Sequence, residues 1–272
     1  MNLLHLKKKV VQIQMKRIES SQNAQVKHWK KLVTVRKDRD KSGEFLVEGF
    51  HLVEEALKDP SWLLTLIVRE GMKIPSDWNL EDVSMVEVTM EIAKEIAETE
   101  YSQGIYAHCI QPKSTQKEQQ NWTNVLMIDA VQDPGNVGTM IRTADAAGLD
   151  AVILGKGSAD AYNPKTVRSG QGSHFHIPIL KGDLSEWLQT FKGKGISVYG
   201  TSLDDSVSYN HVEPQSQFAL IMGNEGSGLS PELLVQTDMN LKIPLLGQAE
   251  SLNVAVATGI LLYTLVHTEN ES

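Results

Sequence analysis

Short apolar runs alternate with amphipathic stretches over residues 24–110, and this pattern predicts a small α/β domain. The apolar runs are short and bounded by turn-forming residues, as strands are, whereas the stretches between them show helical periodicity. The predicted strands cover residues 44–47, 64–69, 84–88 and 104–108, and the predicted helices cover residues 50–58 and 90–98.

A second domain is predicted over residues 123–272, after a polar segment at 111–122 that lacks hydrophobic periodicity and is interpreted as a linker. Near-continuous apolar runs alternate here with helical patterns, which indicates a parallel sheet that is buried on both faces. Ligands of such sheets bind at the carboxyl ends of the strands. The predicted strands cover 125–130, 151–154, 175–179, 196–199, 218–222 and 240–243, and the helices cover 137–147, 184–192, 231–236 and 252–267.

Charge is distributed unevenly between the two ends of the chain. Residues 1–42 contain twelve Lys and Arg against three acidic residues, although the whole chain carries a formal net charge of −8. A basic end on an acidic body is able to bind RNA or DNA phosphates through counterion release, although a solvated tail has the same composition. Residues 1–23 are treated as a basic N-terminal extension.

Composition also limits where in the cell the protein is expected and which kinds of disulfide or metal site it can contain. The apolar runs are too short to span a bilayer, and the basic N-terminus lacks the apolar core and cleavage site of a signal peptide. The single Cys109 excludes an internal disulfide and a multi-cysteine zinc site. His174 and His176 would share one face of a predicted strand, and structural or RNA-contacting roles are favoured for them over metal ligation. We expect a cytoplasmic protein without a metal.

Three segments place glycines and polar residues at predicted strand ends, and the first is IDAVQDPGNVGTMIRTADAAG, residues 128–148. Asn136 follows a turn and is positioned to cap the next helix, while Gly148 suits the position just after that helix ends. Arg142 lies within the helix, where an isolated arginine is usually a solvated side chain. The segment by itself therefore allows both a functional and a structural interpretation.

The second segment is IMGNEGSGL, residues 221–229, whose glycines allow the backbone to approach a ligand closely. Glu225 lies inside this loop, which matches neither the dinucleotide-binding fingerprint nor a P-loop. The third segment is LKIPLLGQAESLNVAVATG, residues 241–259, in which Ser251 is a good helix cap and Asn253 has no evident structural reason to be there. A buried core helix explains the apolar positions of this segment and leaves its polar ones unexplained.

Taken together, in this order and spacing, the three segments closely resemble the SpoU/TrmH family of RNA 2′-O-ribose methyltransferases in the SPOUT superfamily. The resemblance covers residues 123–268, and GEFLVEGFHLVEEAL at 43–57 resembles the family's small, ribosomal-protein-like substrate-binding domain. It implies an α/β fold with a deep trefoil knot, in which the chain near residues 223–259 threads a loop. It also implies a homodimer whose pockets are completed by the partner chain, and an RNA substrate, with rRNA favoured over tRNA by analogy of the N-terminal domain.

The same resemblance carries over two sets of residues. The first would bind S-adenosylmethionine and comprises Thr201, Gly223, Asn224, Ile243 and Leu252. The second would hold the ribose and assist catalysis and comprises Arg142, Asn136, Glu225, Ser251 and Asn253. Because arginine is effectively always protonated in proteins, electrostatic stabilisation by Arg142 is preferred to a role as general base. No step requires a metal.

Three alternatives remain open at the level of the sequence. A binding module could keep this fold and lose the chemistry, but the polar residues of the second set are all present. A base methyltransferase of the same superfamily carries different motifs at the knot. A NAD-linked dehydrogenase is disfavoured because the fingerprint near an N-terminal strand is missing.

Residues 1–14 form a segment that we expect to contribute little to the fold. Met15 is followed by Lys-Arg-Ile, and relatives of this type commonly begin with such a run, so Met15 resembles a native start. A helix as short as the preceding stretch is marginal in water.

Overall fold

The computed structural model describes residues 15–266, which form two α/β domains. The N-terminal domain has a five-stranded sheet of order β1-β4-β3-β5-β2, in which β1, β4 and β3 are parallel and β5 is antiparallel to β3 and β2. The four predicted strands of this domain are confirmed. Its strands are β1 (Lys16–Ile18), β2 (Glu44–Glu48), β3 (Leu63–Arg69), β4 (Met85–Val88) and β5 (Ile105–Ile110).

Strand β1 places residues 16–18 inside this domain, so the extension predicted over residues 1–23 is too long at its carboxyl end. Only three residues pair with β4, and one of them, Ile18, is buried, which is too little apolar content for a strand signal in the sequence. The stretch 1–14 lies outside the described residues.

Four helices accompany the N-terminal sheet, and two of them were predicted. Helix α1 buries Val26, Trp29 and Leu32 at helical spacing, yet it and the following helix were not predicted. The helices are α1 (Ala24–Thr34), α2 (Arg36–Ser42), α3 (Phe50–Leu57) and α4 (Met90–Ile96).

The segment interpreted as a structureless linker contains helix α5 (Gln116–Asn121). A capping box begins it, because the Thr115 hydroxyl accepts from the backbone N–H of Glu118 while the Glu118 carboxylate accepts from the backbone N–H of Thr115. No residue of α5 is buried, so no apolar period marked the helix in the sequence. Trp122, at the end of the segment, is buried and stacks on Trp187, with the two rings 5.8 Å apart.

The C-terminal domain contains the predicted parallel sheet, which has seven strands in the order β10-β12-β9-β11-β6-β7-β8. Apolar clusters cover both faces of this sheet, which explains the near-continuous apolar character of its strands. The strands are β6 (Asn124–Ile128), β7 (Ala151–Leu154), β8 (Ile179–Lys181), β9 (Ser197–Thr201), β10 (Val207–Ser208), β11 (Phe218–Met222) and β12 (Met239–Lys242). The helices are α6 (Pro134–Ala146), α7 (Pro164–Gly170), α8 (Leu184–Gly193), α9 (Pro231–Leu234) and α10 (Val254–Leu265).

The prediction of a strand over residues 175–179 is wrong. The chain forms a 3₁₀ turn at Ser173–Phe175 after Gly172, whose φ of +97° is accessible mainly to glycine, and β8 begins only at Ile179. His174 and His176 therefore do not share a face, because His174 is fully buried and His176 is exposed on one side. Both have structural partners, and those of His176 are two carboxylates that the sequence did not reveal.

The interface between the two domains has a packed apolar core, beside which a cavity of about 600 Å³ opens between residues of both domains. One continuous core cluster contains residues of both sheets, and Phe45 of β2 packs against Tyr162 of the other domain with ring centroids 4.9 Å apart. Within this interface, Arg39 of α2 forms a buried ion pair with Asp160, with both Nε and Nη2 2.8 Å from the same carboxylate oxygen. The two domains are thus joined as one packed unit.

Helix α10 packs against α6 and β11 of its own chain. Among the small side chains of this helix, Val254, Ala255 and Thr258 are buried within the chain, so they do not form a face that a partner could cover. The apolar side chains that α10 exposes are Val256 and Tyr263. Among residues 15–266, no helix has the length and apolar character needed to cross a membrane.

Candidate functional site

A cavity of about 530 Å³ opens at the carboxyl edge of the large sheet, beyond the ends of β9, β11 and β12. The strand order places these three ends side by side, and the chain before α10 closes the remaining side. All five residues predicted to bind the cofactor line this cavity, although they come from four separate segments. These residues are Thr201, Gly223, Asn224, Ile243 and Leu252.

The glycine-rich loop after β11 is folded tightly upon itself. A Cβ atom at Gly223 would lie 2.2 Å from the backbone nitrogen of Leu229 and 2.3 Å from the carbonyl carbon of Gly228. Asn224 and Gly228 exchange two backbone hydrogen bonds of 2.9 and 3.0 Å, which close the loop. The sequence explained Gly223 by approach to a ligand, whereas the close approach in the structure is to its own loop.

Asn224 connects this loop to the chain that follows β6. Its side-chain oxygen accepts hydrogen bonds from the backbone N–H groups of Gly226 and Ser227, at 2.9 and 3.1 Å. Its side-chain nitrogen donates to the carbonyl of Ala130, just after β6, at 2.7 Å. One amide side chain therefore fixes the loop shape and ties the ends of β11 and β6 together.

Three of the five predicted catalytic residues meet at the rim of the cavity, and we call Asn136, Glu225 and Asn253 the polar triad. The Asn136 side chain donates to a Glu225 carboxylate oxygen at 3.0 Å, and Asn253 donates to the Asn136 oxygen at 2.9 Å. They come from α6, the loop after β11 and the residue preceding α10. The three segments that the sequence singled out therefore converge here.

Glu225 is held in its ionised form. Partial burial opposes ionisation, but the hydrogen bond from Asn136 and those from neighbouring backbone N–H groups outweigh it, so the pKa of Glu225 lies below that of an ordinary carboxyl. A carboxylate in this state accepts hydrogen bonds and does not donate them. It can orient a hydroxyl or an amide group that enters the cavity.

The helix caps near the site differ from those predicted, and the difference frees functional side chains. Asp133 caps α6 by accepting from the backbone N–H of Asn136, so the Asn136 side chain is available to Glu225. Asn253 caps α10 by accepting from the backbone N–H groups of Ala255 and Val256, so the prediction that Ser251 is the cap is wrong. Asn253 thus has a structural role and, through its other amide atom, a place in the triad.

The remaining two predicted catalytic residues lie outside the polar triad. Ser251 lines the cavity and its side chain is exposed. Arg142 is exposed on α6, about 9 Å along the helix axis from Asn136, and is not part of the cavity wall. Within residues 15–266, Arg142 makes no ion pair or side-chain hydrogen bond, so its charge is unpaired in this part of the chain.

Among the described residues, one cluster has the composition of a metal site, and it lies in the N-terminal domain. His28 and His108 both approach the same Glu44 carboxylate oxygen, at 2.5 and 3.0 Å. The indole N–H of Trp29 donates to Nδ1 of His108 at 3.3 Å, so a neutral His108 carries its proton on Nε2, which faces Glu44. Hydrogen bonding accounts for the cluster, because a metal at Nε2 would need that proton removed.

Comparison with known proteins connects this site to a family. The SpoU rRNA methylase family model matches residues 123–263, and the model of the MRM3-like substrate binding domain matches residues 23–107. The chain is 51% identical to a 23S rRNA (guanosine(2553)-2′-O)-methyltransferase, RlmP, of Bacillus subtilis, over 92% of this chain and 99% of that protein.

Solved structures agree with this assignment over nearly the whole chain. The AdoMet-bound rRNA methyltransferase from Sinorhizobium meliloti superposes with a TM-score of 0.80 at 32% identity, covering 92% of this chain and 97% of that one. The SpoU methyltransferase AviRb from Streptomyces viridochromogenes, in complex with AdoMet, superposes with a TM-score of 0.78 at 29% identity, covering 89% and 96%. The chain belongs to the SpoU rRNA methylase family.

Proposed function

We propose that this chain transfers the methyl group of S-adenosylmethionine to the 2′-hydroxyl of a guanosine ribose in 23S rRNA. The observation that carries the proposal is the polar triad at the rim of a cavity lined by all five positions expected to bind the cofactor. The relative that is 51% identical is named for this reaction, and two structural neighbours are AdoMet complexes. An rRNA substrate implies a cytoplasmic protein.

The walls of the cavity suit S-adenosylmethionine. Leu245, Leu252, Ala257 and the backbone at Gly223 and Ile243 offer apolar surface and backbone polar groups, which match a ligand with both a purine and an amino-acid part. When bound, the cofactor supplies an electrophilic methyl group. The residues of this chain bind and orient it, and no metal is invoked.

The polar triad would position the ribose. Glu225, held ionised, accepts a hydrogen bond from a substrate hydroxyl, while the two asparagines keep its carboxylate fixed in direction. Fixed orientation of the reacting oxygen is a large contribution when the methyl group is already activated. The O–C bond forms as the bond from the methyl carbon to sulfur breaks, and the hydroxyl proton leaves to Glu225 or to solvent. Arg142 would stabilise the negative charge that the oxygen gains as this proton leaves, or the adjacent phosphate.

We further propose a homodimer in which Arg142 of one chain reaches the cavity of its partner. Arg142 does not line the cavity of its own chain, and α6 lies beside α10, whose Val256 and Tyr263 are 54% and 58% exposed. Apolar side chains at such exposure form a contact surface when a second copy covers them. A strict monomer in light scattering at micromolar concentration would contradict this arrangement.

A trefoil knot is the topology that we propose for the chain at residues 223–259. The hydrogen bonds from Asn224 to Ala130 and from Asn253 to Asn136, which tie both ends of this stretch to the chain that follows β6, support it. The same arrangement supports the proposed roles of Thr201 in binding the cofactor and of Ser251 in holding the ribose.

The function is tested by methyl transfer from labelled S-adenosylmethionine to 23S rRNA and to tRNA, followed by mapping of 2′-O-methyl positions. We expect label on one guanosine of 23S rRNA, and loss of that methyl group in cells that lack the gene. Calorimetry should detect S-adenosylmethionine binding without added metal. Label on tRNA alone, methylation of a base, or preferential binding of NAD would overturn the proposal.

A further inference from the structure

A second, basic cavity lies on the same carboxyl edge of the large sheet, on the other side of β6 from the proposed cofactor cavity. It has a volume of about 280 Å³ and is bounded by the chain after β7, the chain after β8 and helix α2 of the N-terminal domain. We call it the basic pocket. Three of its lining side chains are cations and one is a carboxylate, namely Arg36, Lys156, Lys181 and Asp183.

The loop Gly155–Lys156–Gly157 forms the side of the basic pocket that faces the catalytic residues. A Cβ atom at Gly155 would lie 2.7 Å from Leu184 and 3.2 Å from the Ile128 carbonyl, and Gly157 has a φ of +90°. A Cβ at Gly157 would lie 3.2 Å from that of Ala130, in the connection that leads from β6 to Asn136. The loop is therefore held against the catalytic connection.

Lys156 is the residue that this packing presents to solvent. It stands between the two constrained glycines, its side chain is exposed, and it lies within 4.0 Å of no carboxylate in residues 15–266. The other two cations are partly engaged. Arg36 donates to the Ser158 carbonyl at 3.3 Å and lies 3.6 Å from Asp40, while Lys181 pairs with the same Asp40 and lies 3.6 Å from Asp160.

Cations outnumber carboxylates among the side chains that line the basic pocket, although the molecule as a whole is acidic. Asp40 and Asp160, outside the lining, offset part of this charge through Arg36 and Lys181, which leaves Lys156 as the lining cation that is unpaired among the described residues. The whole chain carries a formal charge of −8, yet three cations from two domains gather around one small cavity. Asp183 is engaged as the cap of α8, where it accepts from the backbone N–H of Ser185 at 2.8 Å. The group that such a pocket recognises is a compact anion with several oxygen acceptors, and an RNA substrate carries phosphates of this chemistry.

We propose that the basic pocket binds a backbone phosphate of the RNA near the ribose that is methylated, with Lys156 as its main contact. The inference rests on the proposed RNA substrate and adds a subsite to it. Because Arg36 belongs to the N-terminal domain, the docked domains complete the pocket together. A phosphate held there would fix the strand on one side of the target nucleotide, which orients the ribose toward the polar triad.

The first test measures RNA affinity of the Lys156→Gln variant of the full chain across a salt series. We expect affinity to fall roughly three- to ten-fold at low salt and the slope of log Kd against log salt to become shallower by about 0.7–0.9, as for one lost phosphate contact. Lys192→Gln is the control, because it removes the same charge from a half-buried lysine that pairs with Asp238 at 2.9 Å and lies at the opposite edge of the sheet. It should leave both quantities unchanged, and neither variant should change affinity for S-adenosylmethionine.

The second test locates the phosphate with RNA in which single phosphates near the target are replaced by neutral methylphosphonates. One replacement should weaken binding by the wild-type chain and have no further effect on Lys156→Gln, while Lys156→Arg should keep the sensitivity. Unchanged affinity and salt slope for Lys156→Gln, or equal sensitivity of both chains at every phosphate, would overturn the subsite and leave the proposed function standing. Failure of the wild-type chain to bind or methylate rRNA would overturn both.

Discussion

The interface between the domains and the rim of the cofactor cavity both contain charged and amide side chains, but they use them in opposite ways. At the interface, the Arg39–Asp160 pair is 2% and 6% exposed, and both residues have further partners, such as the Leu32 carbonyl for Arg39. At the rim, Glu225 and Asn253 are exposed, and Arg142, which lies on α6 outside the cavity wall, has no partner among the described residues of its own chain. Buried and fully partnered polar groups belong to the scaffold of this molecule, and exposed ones lie where we propose that the substrate binds.

The largest expected effect is a loss of stability at the interface between the two domains. Arg39→Met leaves the Asp160 carboxylate buried without its partner, so the free energy of unfolding should fall by about 3–5 kcal/mol. Chemical denaturation measures this, with Lys30→Met as control, because the exposed pair of Lys30 with Glu95 should be worth about 0–1 kcal/mol. Addition of Asp160→Leu to Arg39→Met should recover much of the loss. An equal loss of unfolding free energy for Arg39→Met and Lys30→Met would contradict the proposed difference between the buried and the exposed ion pair.

The second-largest effect is expected on the rate of methyl transfer when Arg142 is replaced. Arg142→Ala should lower methyl transfer by about 100-fold or more, because a preorganised charge at the reacting oxygen is lost. Affinity for S-adenosylmethionine and thermal stability should stay near those of the wild type, since Arg142 has no contact to lose within the described part of its own chain. Arg142→Lys should recover part of the rate. Near-normal turnover of the alanine variant would make Arg142 an ordinary surface arginine.

The glycine-rich loop after β11 packs tightly on itself and also lines the cavity. A substitution in this loop should therefore affect both stability and cofactor binding. Gly223→Ala forces a Cβ into the backbone of Gly228 and Leu229, so stability should fall by about 1–3 kcal/mol together with cofactor affinity. Gly226→Ala is the control, since its nearest contact would be a side-chain oxygen at 3.6 Å. Calorimetry and thermal melting measure both quantities. Loss of cofactor affinity without loss of stability would mean that Gly223 serves the ligand alone.

A smaller effect concerns pH. Both ring nitrogens of His176 lie 3.0 Å from carboxylates, Glu55 of α3 and Asp145 of α6, and Lys58 also pairs with Glu55. Burial opposes protonation of His176, but the hydrogen bonds to these carboxylates outweigh it and raise its pKa. Partial burial is likewise outweighed at Glu55, where the bonds from Lys58 and His176 lower the pKa.

The sign of the pH dependence follows from these directions. Stability from a raised histidine pKa is present at low pH and is lost as pH rises through the raised pKa, whereas stability from a lowered carboxyl pKa is lost as pH falls through it. The bridge between the domains should therefore be strongest between these two pKa values. The difference in unfolding free energy between wild type and His176→Gln, measured from about pH 5.5 to pH 8.5, should shrink as pH rises. A constant difference would show that His176 contributes packing only.

The smallest effect is expected from deletion of residues 1–14. Melting temperature and methyl transfer should stay nearly unchanged, and RNA affinity should fall modestly because Lys7, Lys8 and Lys9 are removed. A large loss of stability would show that the segment docks on the core.

Hydrophobic periodicity predicted those parts of the fold whose own residues make the core. Strands β7 and β11 were predicted residue for residue, because each is entirely buried. Helix α2 was not predicted, because its sequence RKDRDKS has no apolar residue and its buried member is Arg39. A buried arginine depends on an aspartate 121 positions away, and local pattern contains no information about that partner.

The sequence predicted which residues form the candidate site, but it did not predict the hydrogen bonds between them. Asn136 and Ser251 both have good capping chemistry, but Asp133 and Asn253 are the caps, since several residues near each helix start could serve. The two carboxylates around His176 come from α3 and α6, so only the folded chain brings them to it. Contacts between distant segments are decided by packing, which a single sequence does not display.

The packed core between the domains has a consequence for which nucleotide the protein reaches. Phe45, Tyr162 and the Arg39–Asp160 pair join the domains as one packed unit, so we expect the lysines of α1 and the polar triad to keep a fixed separation. A flexible tether would sample many distances and present many nucleotides to the same chemistry. We therefore expect the protein to select its target by length: an RNA feature bound at one end would present the nucleotide that lies at a fixed distance from it. Selectivity of this kind resides in the length of a rigid body and needs no contact with the base that is modified.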